Sequence, residues 1–400
     1  MTDHRPIAFF LTPVLPLPRD SGRALRAWDW LVELARTHRV CVLVANGQDL
    51  PPPPPDYPAA VVYHVRSAPA SGTRWGRALR MLLFPSCLLS RRGVADWQHV
   101  TPELEAVLSS PWLVGAPVER IVVFRFYLHD FAQAVSKHWP QAEMEIDLDD
   151  IESRTRWSVA GSLFRMGRYL EALRRVGSGA QYAMLERFMP GRYVKAWLAN
   201  GLDGSGWRTR LALSVAERPN RISVPPASAL IDPSQTSTLR LLFIGTLDYP
   251  PNEEAVLDLV NLHLPELAKR LERPWSLCVV GRHASDRLVA ILKQAPQIEL
   301  IPDAESLVDC YRSAHVVVVP LRAGGGTKLK TLEAFAHMRP VVSTAHGVRG
   351  LSVAASEHYL AAETPAEFAD AIVRLASDPH LAQRIALAGH ALCKQRYEAV

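Results

Sequence analysis

A glycine-rich segment near residue 330 carries residue types that can bind a phosphorylated ligand. The three glycines Gly324–Gly326 let backbone N–H groups approach a ligand closely, and Thr327 follows them at the start of a helical pattern. A helix N-terminus and the charges of Lys328 and Lys330 suit a phosphate, while Glu333 can accept bonds from two sugar hydroxyls. The pattern predicts a site for a nucleotide diphosphate-sugar. The alternative is a flexible glycine loop with two solvated lysines and a surface glutamate.

The segment lies within a regular alternation of apolar strand-like runs and helical patterns. Such alternation predicts an α/β fold with parallel sheets. In the second half we predict strands at 239–244, 276–280, 298–301, 316–319, 341–343 and 359–361, with helices at 253–260, 286–294, 306–313 and 365–376. In the first half we predict strands at 7–11, 40–44, 121–126, 144–148, 194–198 and 222–224, with a helix at 24–36.

The length of 400 residues and the composition predict two domains. Residues 227–238 have the polar, small-residue composition of a linker, so we expect an acceptor-binding domain at 1–235 and a nucleotide-sugar-binding domain at 236–400. Each is expected to be Rossmann-like and doubly wound, with the two facing across a cleft. Ligands of such sheets bind at the carboxyl ends of the strands, where the glycine loop lies.

Composition and charge narrow the class of protein. Hydrophobic residues make up 48% of the chain, and the five cysteines are widely spaced, which favours reduced thiols in a cytoplasmic protein. The apolar run Ile7–Leu17 contains two prolines, so a first strand and loop is a better interpretation than a signal peptide. The first 235 residues hold 28 Lys and Arg against 22 Asp and Glu, and the remainder holds 17 against 18. This asymmetry suggests that the first half faces an anionic surface or acceptor, or that the source proteome is rich in arginine.

The second half resembles the family 4 glycosyltransferases of the GT-B fold, especially bacterial members that build cell-surface polysaccharides. The resemblance depends on four stretches in that half, 242–252, 279–282, 318–344 and 347–351, and more loosely on 18–30 and 145–153 in the first half. It implies a retaining enzyme without a metal-binding acid motif, which needs no cofactor and takes a UDP- or GDP-linked sugar as its substrate. The expected acceptor is a lipid-linked or saccharide molecule, and no nucleic acid is expected as a partner.

Carried over to this sequence, the resemblance implies roles for particular residues. Glu333 would bind the ribose hydroxyls, Gly325–Lys328 would hold the diphosphate, and Gly245 would open the first loop of the donor domain. Lys328 is the expected catalytic cation, and the remaining donor-site residues are expected to be Gly281, Arg282, Gly326, Thr327 and Lys330. Two features depart from the family. Gly325 stands where a second Glu is common, and the Arg and Lys pair that often follows the first donor-domain strand is absent.

Three candidates in the first half each have a plain structural alternative. His129 ends a strand and is expected to contact the donor or orient the acceptor, although it could be a loop histidine on the surface. Gly22 is expected to let a loop approach the diphosphate, or it forms an ordinary tight turn. The acidic run with Asp147, Asp149 and Asp150 resembles a Mg²⁺ site, but capping of the following helix is the better interpretation and no metal site is predicted.

A basic, apolar segment in the first half is a candidate membrane surface. Its arginines flank the apolar run 81–84 with no acid between residues 72 and 95; they are Arg74, Arg77, Arg80, Arg91 and Arg92. Residues 154–175 repeat the theme with Phe164, Met166 and Tyr169. Such segments can lie on anionic headgroups at the inner face of a membrane, where a lipid-linked acceptor is found. The alternative is an ordinary helix with a solvated basic face.

Two other functions remain open. A nucleotide-sugar 2-epimerase is possible on this fold, although its acid and histidine constellation is not evident, and a donor-binding protein without transferase activity is suggested by Gly325. A dinucleotide dehydrogenase is disfavoured because no Gly-x-Gly-x-x-Gly motif follows the first strand.

Overall fold

The structure is a computed structural model that describes residues 4–17, 21–46, 52–65, 97, 100–113, 115–188, 192–201, 212–226, 233–304 and 306–399. The basic segment with Arg74, Arg77, Arg80, Arg91 and Arg92 lies outside these residues. Within them the chain divides into two compact units. Unit 1 consists of Met1–Trp157 and Arg174–Asn220, and unit 2 consists of Ser158–Leu173 and Arg221–Val400. The change of unit after Asn220 comes before the predicted boundary at 235, and residues 158–173 belong to unit 2 although they lie within the predicted first domain.

Unit 1 is built on a parallel sheet of seven strands. The strands are β1 Ile7–Thr12, β2 Arg39–Ala45, β3 Val61–Val65, β4 Val118–Phe124, β5 Glu143–Asp149, β6 Tyr193–Leu198 and β7 Ala212–Glu217. Their order in the sheet is β3-β2-β1-β4-β5-β6-β7. The helices are α1 Gly22–Ala35, α2 Pro102–Leu108, α3 His129–His138, α4 Glu152–Arg165 and α5 Tyr169–Phe188, of which α4 and α5 include the unit 2 residues 158–173.

Alternation along β1 shows why this sheet is covered on both faces. Phe9 and Leu11 belong to one apolar cluster, whereas Ala8 and Phe10 belong to another that includes Trp30 of α1. Successive side chains of a strand point to opposite faces, so a strand that is apolar throughout needs a layer of packing on each side. This arrangement is the Rossmann-like sheet that the apolar runs predict.

Unit 2 is built on a parallel sheet of six strands. The strands are β8 Leu239–Ile244, β9 Trp275–Val280, β10 Ile298–Ile301, β11 Val316–Val319, β12 Val341–Ser343 and β13 Leu360–Ala361, in the order β10-β9-β8-β11-β12-β13. The helices are α6 Pro250–Asp258, α7 Leu264–Ala268, α8 Asp286–Leu292, α9 Val308–Ser313, α10 Leu329–Ala336, α11 Pro365–Ser377 and α12 Pro379–Arg396. A π-helical turn, Leu259–His263, joins α6 to α7. The bounds of β8, β10, β11 and β12 are those predicted.

The acidic run at the end of β5 pairs with arginines. Asp147, which is fully buried, accepts hydrogen bonds from Arg26 Nε at 2.8 Å and Nη2 at 2.9 Å. Arg125 Nη1 lies 3.0 Å from Asp149 Oδ2 and 2.7 Å from Asp150 Oδ1. The charge of Glu152, followed by those of these two aspartates, raises the pKa of the guanidinium against the effect of burial. The acids of this run therefore neutralise buried arginines of unit 1. Among the residues that the structure describes, no group of three or more His, Cys, Asp and Glu side chains is placed to hold a metal ion.

Backbones cross very closely where β8 and β9 end. Gly245 N donates to Val280 O at 3.0 Å, and Gly281 N donates to Ile301 O at 3.1 Å. A Cβ built on Gly281 would lie 1.8 Å from the carbonyl oxygen of Gly245. Because that obstacle is backbone, any side chain at 281 would push the two strand ends apart.

We expect Gly281→Ala to destabilise unit 2 by about 1–3 kcal/mol, as overpacked substitutions do. The matched control is Gly177→Ala in α5, where a Cβ meets no atom within 4 Å and where alanine should instead stabilise the helix slightly. Thermal unfolding of both variants against the parent measures the difference. Equal melting temperatures for the parent and Gly281→Ala would contradict the crossing geometry.

Candidate nucleotide-sugar site

The candidate site lies at the point where the strand order of the second sheet reverses. The neighbouring strands β8 and β11 are paired through Leu241–Val316 and Leu242–Val317. Chain connections leave these two strands in opposite directions across the sheet, toward β9 from β8 and toward β12 from β11. The resulting crevice at the carboxyl ends is where doubly wound sheets bind ligands. Gly245 follows β8 there, and the glycine loop follows β11.

The glycine loop has a backbone that only glycine adopts readily. Gly324 has φ of 109° and Gly326 has φ of 65°, both in the positive region where a Cβ causes strain. A Cβ on Gly324 would also lie 3.2 Å from the Tyr249 hydroxyl oxygen, across the crevice on the β8–α6 loop. The loop therefore requires glycine both for its conformation and for its close approach to Tyr249.

Lys328 is turned toward its own loop. Its Nζ donates to the carbonyl oxygens of Gly324 at 3.2 Å, Gly325 at 3.0 Å and Gly326 at 3.2 Å. The side chain is buried, and Lys328 is the residue that caps α10, which starts two residues later than the predicted position near Thr327. Its ammonium thus holds the loop together from within. Thr327 lies beside it, and its hydroxyl oxygen has no hydrogen-bond partner among the described atoms.

Lys330 is the cation of the crevice. Its Nζ lies 2.6 Å from Asn252 Oδ1 and 4.4 Å from the centre of the Phe243 ring. Asn252 Nδ2 in turn donates to Thr246 O at 2.8 Å, which fixes the amide. A Cβ on Gly245 would lie 2.8 Å from Lys330 Nζ, so the ammonium fits because that position is glycine. The removal of water from the ammonium, with a smaller effect of the neighbouring Lys328, lowers the pKa of Lys330 to about 7.

Glu333 lies one helical turn after Lys330 on the same face of α10, as the i, i+3 spacing requires. Its Oε2 accepts a hydrogen bond from the Tyr311 hydroxyl at 3.0 Å, and burial raises the pKa of the carboxyl. Tyr311 is held by stacking on His337, with ring centres 4.8 Å apart and an interplanar angle of 10°. The half-buried carboxylate retains acceptor capacity for hydroxyl groups of a ligand.

The other predicted donor-site residues have different surroundings. Gly325 and Gly326 lie in the loop, and Gly281 lies beside Gly245 as described above. The Arg282 side chain is 55% exposed, with its Nε 3.7 Å from Asp303 Oδ1 at the surface. In this position it is a solvated residue at the edge of the crevice.

Two predicted residues belong to unit 1. Gly22 is the first residue of α1, whose N-cap Ser21 accepts a hydrogen bond from Ala24 N at 3.2 Å. His129 is 2% exposed in an aromatic part of the core, with Nδ1 2.7 Å from the Tyr193 hydroxyl oxygen. Burial among aromatic rings argues against the predicted contact of His129 with donor or acceptor, and the proposed site leaves it out.

Three residues of the site escape sequence reasoning. Ser158 accepts a hydrogen bond from Gly324 N at 2.9 Å, Asn252 holds Lys330, and Tyr311 holds Glu333. Ser158 is 166 positions from its partner and carries no local signal. Asn252 lies in a stretch typical of the resembled family, which was the available signal, whereas Tyr311 reads only as an apolar helix residue.

Comparison with known proteins finds a family match in the second half of the chain. Residues 238–378 match the sequence model of the family described as glycosyl transferases group 1. The matched residues all belong to unit 2. A protein of Klebsiella pneumoniae described as an uncharacterized 44.6 kDa protein in cps region is 26% identical over 167 residues, which span 40% of this chain and 42% of that protein. The match thus covers less than half of that relative.

Solved structures share the two-domain fold at low sequence identity. Sucrose-phosphate synthase from Thermosynechococcus elongatus superimposes with a TM-score of 0.65 at 15% identity, over 98% of this chain and 95% of that one. HepE from Anabaena, solved in complex with UDP and glucose, gives a TM-score of 0.62 at 12% identity, over 98% and 96% of the two chains. These neighbours show that the two Rossmann-like domains form a GT-B fold, which confirms the predicted fold class.

The uptake of a proton by Lys330 when UDP binds provides a test of the site. Because the pKa of Lys330 is about 7 without ligand, its side chain is largely the neutral amine at pH 8. A bound diphosphate favours the charged form, so binding of UDP at pH 8 should take up close to one proton and should strengthen as the pH falls from 8.5 toward 7. Calorimetry in two buffers of different ionisation enthalpy measures this uptake.

The matched variants are Lys330→Met in the crevice and Lys394→Met on the exposed side of α12. We expect proton uptake to disappear in the first and to persist in the second. Equal uptake by the parent and Lys330→Met would show that another group titrates and that Lys330 does not face the diphosphate.

Proposed function

We propose that this protein is a retaining glycosyltransferase of the hexosyltransferase type. It moves a sugar from a UDP- or GDP-linked donor to a lipid-linked or saccharide acceptor in cell-surface polysaccharide synthesis. The observation that carries the proposal is that Lys330 and Glu333 lie on the same face of α10. This face lies at the switch point of the sheet in the part of the chain that matches the group 1 glycosyltransferase model. Support for the donor comes from HepE, solved with UDP-glucose, and support for the pathway comes from the relative in a cps region.

The proposed donor position follows from the charges of the crevice. The diphosphate lies against Lys330 and the start of α10, and the ribose hydroxyls donate to Glu333, one turn further along the helix. Gly245 leaves room for this arrangement, because a side chain there would displace the Lys330 ammonium. The loop-holding contacts of Lys328 fix the glycine loop before the donor arrives, so the loop amides need little reorganisation.

The reaction breaks the bond between the anomeric carbon and the diphosphate oxygen and forms a bond from that carbon to an acceptor hydroxyl oxygen. Negative charge grows on the diphosphate as it leaves, and the Lys330 ammonium and the helix N-terminus stabilise it there without a metal ion. In a retaining reaction the acceptor attacks from the face that the diphosphate leaves, so the departing oxygen can receive the acceptor proton. No separate base is then required on the opposite face.

Two alternatives are kept as outcomes of an assay. Gly325 replaces the glutamate that would contact the donor sugar in the resembled family, which is the observation that favours donor binding without transfer. A 2-epimerase is the other alternative. Incubation with radiolabelled UDP- and GDP-sugars should give transfer to an acceptor, or slow release of free sugar when no acceptor is present. Formation of a 2-epimer, or binding with no turnover in the presence of lipid-linked and saccharide acceptors, would contradict the proposal.

Donor binding should depend on the Glu333 carboxylate. Each hydrogen bond from a ribose hydroxyl to an ionised carboxylate is worth about 1.5–3 kcal/mol, so Glu333→Ala should weaken UDP at least about tenfold. The control Glu357→Ala removes a carboxylate that is 65% exposed and 3.8 Å from His358, and it should bind UDP like the parent. Isothermal calorimetry compares the three proteins. Unchanged affinity in Glu333→Ala would exclude ribose recognition by this residue.

The location of the protein is part of the proposal. We place it in the cytoplasm, at the inner face of the membrane, because nucleotide-sugars and lipid-linked acceptors meet there. No helix within the described residues has the length and apolar character needed to cross a bilayer.

A further inference from the structure

A helical corner of unit 2 joins the end of α4 to the start of α5. The turn at the end of α4 is closed by Gly167 N donating to Phe164 O at 3.0 Å and by Arg168 N donating to Leu163 O at 2.9 Å. These are the two bonds of a Schellman motif, and Gly167 supplies the positive φ, 74°, that the motif requires. The geometry fixes the direction in which α5 leaves the corner.

The inner face of the corner packs on α6 and the loop before it. Val159, Leu163 and Ala172 form a small buried cluster against Tyr249. Glu254 of α6, which is 4% exposed, accepts from Ser162 Oγ at 2.6 Å and pairs with the Arg165 guanidinium.

A second ion pair joins Arg168 Nη1 to Glu253 Oε2 at 2.7 Å. Apolar packing, a buried carboxylate and two arginine pairs therefore anchor the corner to the domain that binds the donor.

The outer face of the corner is apolar and exposed. Its four large side chains are Phe164 at 61% exposure, Tyr169 at 56%, Leu170 at 73% and Leu173 at 64%. The rings of Phe164 and Tyr169 meet edge to face, with centres 5.0 Å apart. We call these four residues the corner surface. Four large exposed apolar side chains within ten residues form a patch rather than the scattered exposure that is ordinary on protein surfaces.

The charges around the corner surface have one predominant sign. Between residues 158 and 175 the chain holds four arginines and a single acid, Glu171. Arg174 and Arg175, both exposed, follow Leu173 directly in α5. The charge of Glu171 is neutralised by Arg168, with which it forms a 2.6 Å ion pair. Exposed aromatic and aliphatic side chains flanked by arginines have the chemistry that inserts at the headgroup boundary of an anionic bilayer.

We propose that the corner surface docks on an anionic lipid membrane, with Phe164, Tyr169, Leu170 and Leu173 at the headgroup boundary and the arginines on the phosphates. The position has a consequence for the donor site. Ser158, which accepts the hydrogen bond from Gly324 N, precedes Phe164 by six residues of α4, or about 9 Å along the helix. Docking would therefore hold the glycine loop close to the membrane surface, where a lipid-linked hydroxyl is presented. The docking itself does not depend on the transferase assignment.

The test is co-sedimentation of the full chain with vesicles of phosphatidylglycerol and phosphatidylcholine, in the absence of nucleotide. The parent should bind these vesicles and bind pure phosphatidylcholine far more weakly. The triple variant Phe164→Ser, Leu170→Ser, Leu173→Ser should partition at least about tenfold less, because each exposed apolar side chain adds burial in the interface. The pair Arg174→Ser, Arg175→Ser should lose a comparable amount, and the parent should weaken with added salt.

The matched control is Leu262→Ser, Leu387→Ser, which replaces two apolar residues of 43% and 46% exposure elsewhere in unit 2. It should bind vesicles like the parent. Full vesicle binding by the triple variant, or equal loss in the control, would overturn the proposal, as would a parent that never binds anionic vesicles.

Sedimentation velocity tests whether a second copy of this chain, rather than a membrane, covers the corner surface. Self-association of the parent that the triple variant abolishes would assign the surface to a second copy and overturn membrane docking. The affinity for UDP should be the same in the parent and the triple variant. Measuring it together with vesicle binding distinguishes an error in the proposed donor site from an error in the proposed docking surface.

Discussion

The candidate site depends on the placement of one ammonium group in a space that a single methyl group would close. Lys330 Nζ lies where a Cβ on Gly245 would be only 2.8 Å away, and its hydrogen bond to Asn252 joins α10 to α6, the helix that follows β8. Both elements start at the carboxyl end of neighbouring strands, so the contact fixes their relative position. Water is largely excluded from the ammonium, and the pKa falls to about 7. An incoming diphosphate would stabilise the protonated form of this amine and raise its pKa again.

The glycine loop shows how such a site is kept rigid. A loop of glycines has high conformational freedom unless other residues hold it. Here Lys328 donates to three of its carbonyl oxygens, His346 Nε2 lies 3.0 Å from Gly324 O, and Ser158 accepts from Gly324 N. The proximity of Lys328 also lowers the pKa of Lys330. The two lysines thus have different surroundings: Lys328 is bonded to the loop, whereas Lys330 is the one that we propose faces the diphosphate.

The sequence predicted most where apolar runs were long and unbroken. The run of four valines, Val316–Val319, reads as a buried strand and is one, and the fold class followed from several such runs. The strands Val61–Val65 and Ala212–Glu217 were missed because each is a short edge strand whose apolar run is interrupted by a polar residue, His64 in the first and Ser214 in the second. The sequence named residues for the candidate site, but it did not predict the directions of their side chains. Whether Lys328 turns inward or toward a ligand depends on contacts between side chain and backbone that no spacing rule encodes.

Long-range partners were also beyond sequence reasoning. The return of residues 158–173 to unit 2 depends on Glu254, on the arginine pairs and on Tyr249, all of them distant in the chain. His129 illustrates the same dependence, since a histidine at a strand end suggested chemistry, and in the fold it lies buried beside Tyr193. Polar residues at strand ends become informative only once their neighbours across the fold are known.

The central claim is that one face of α10 recognises the diphosphate and the ribose of a nucleotide-sugar donor. A crystal structure of the protein with UDP tests it most directly. The account predicts a phosphate oxygen within hydrogen-bond distance of Lys330 Nζ and the ribose hydroxyls on the Glu333 carboxylate, with Lys328 still bonded to its own loop. Density for UDP elsewhere, or a diphosphate bound by Lys328 while Lys330 stays on Asn252 alone, would contradict it.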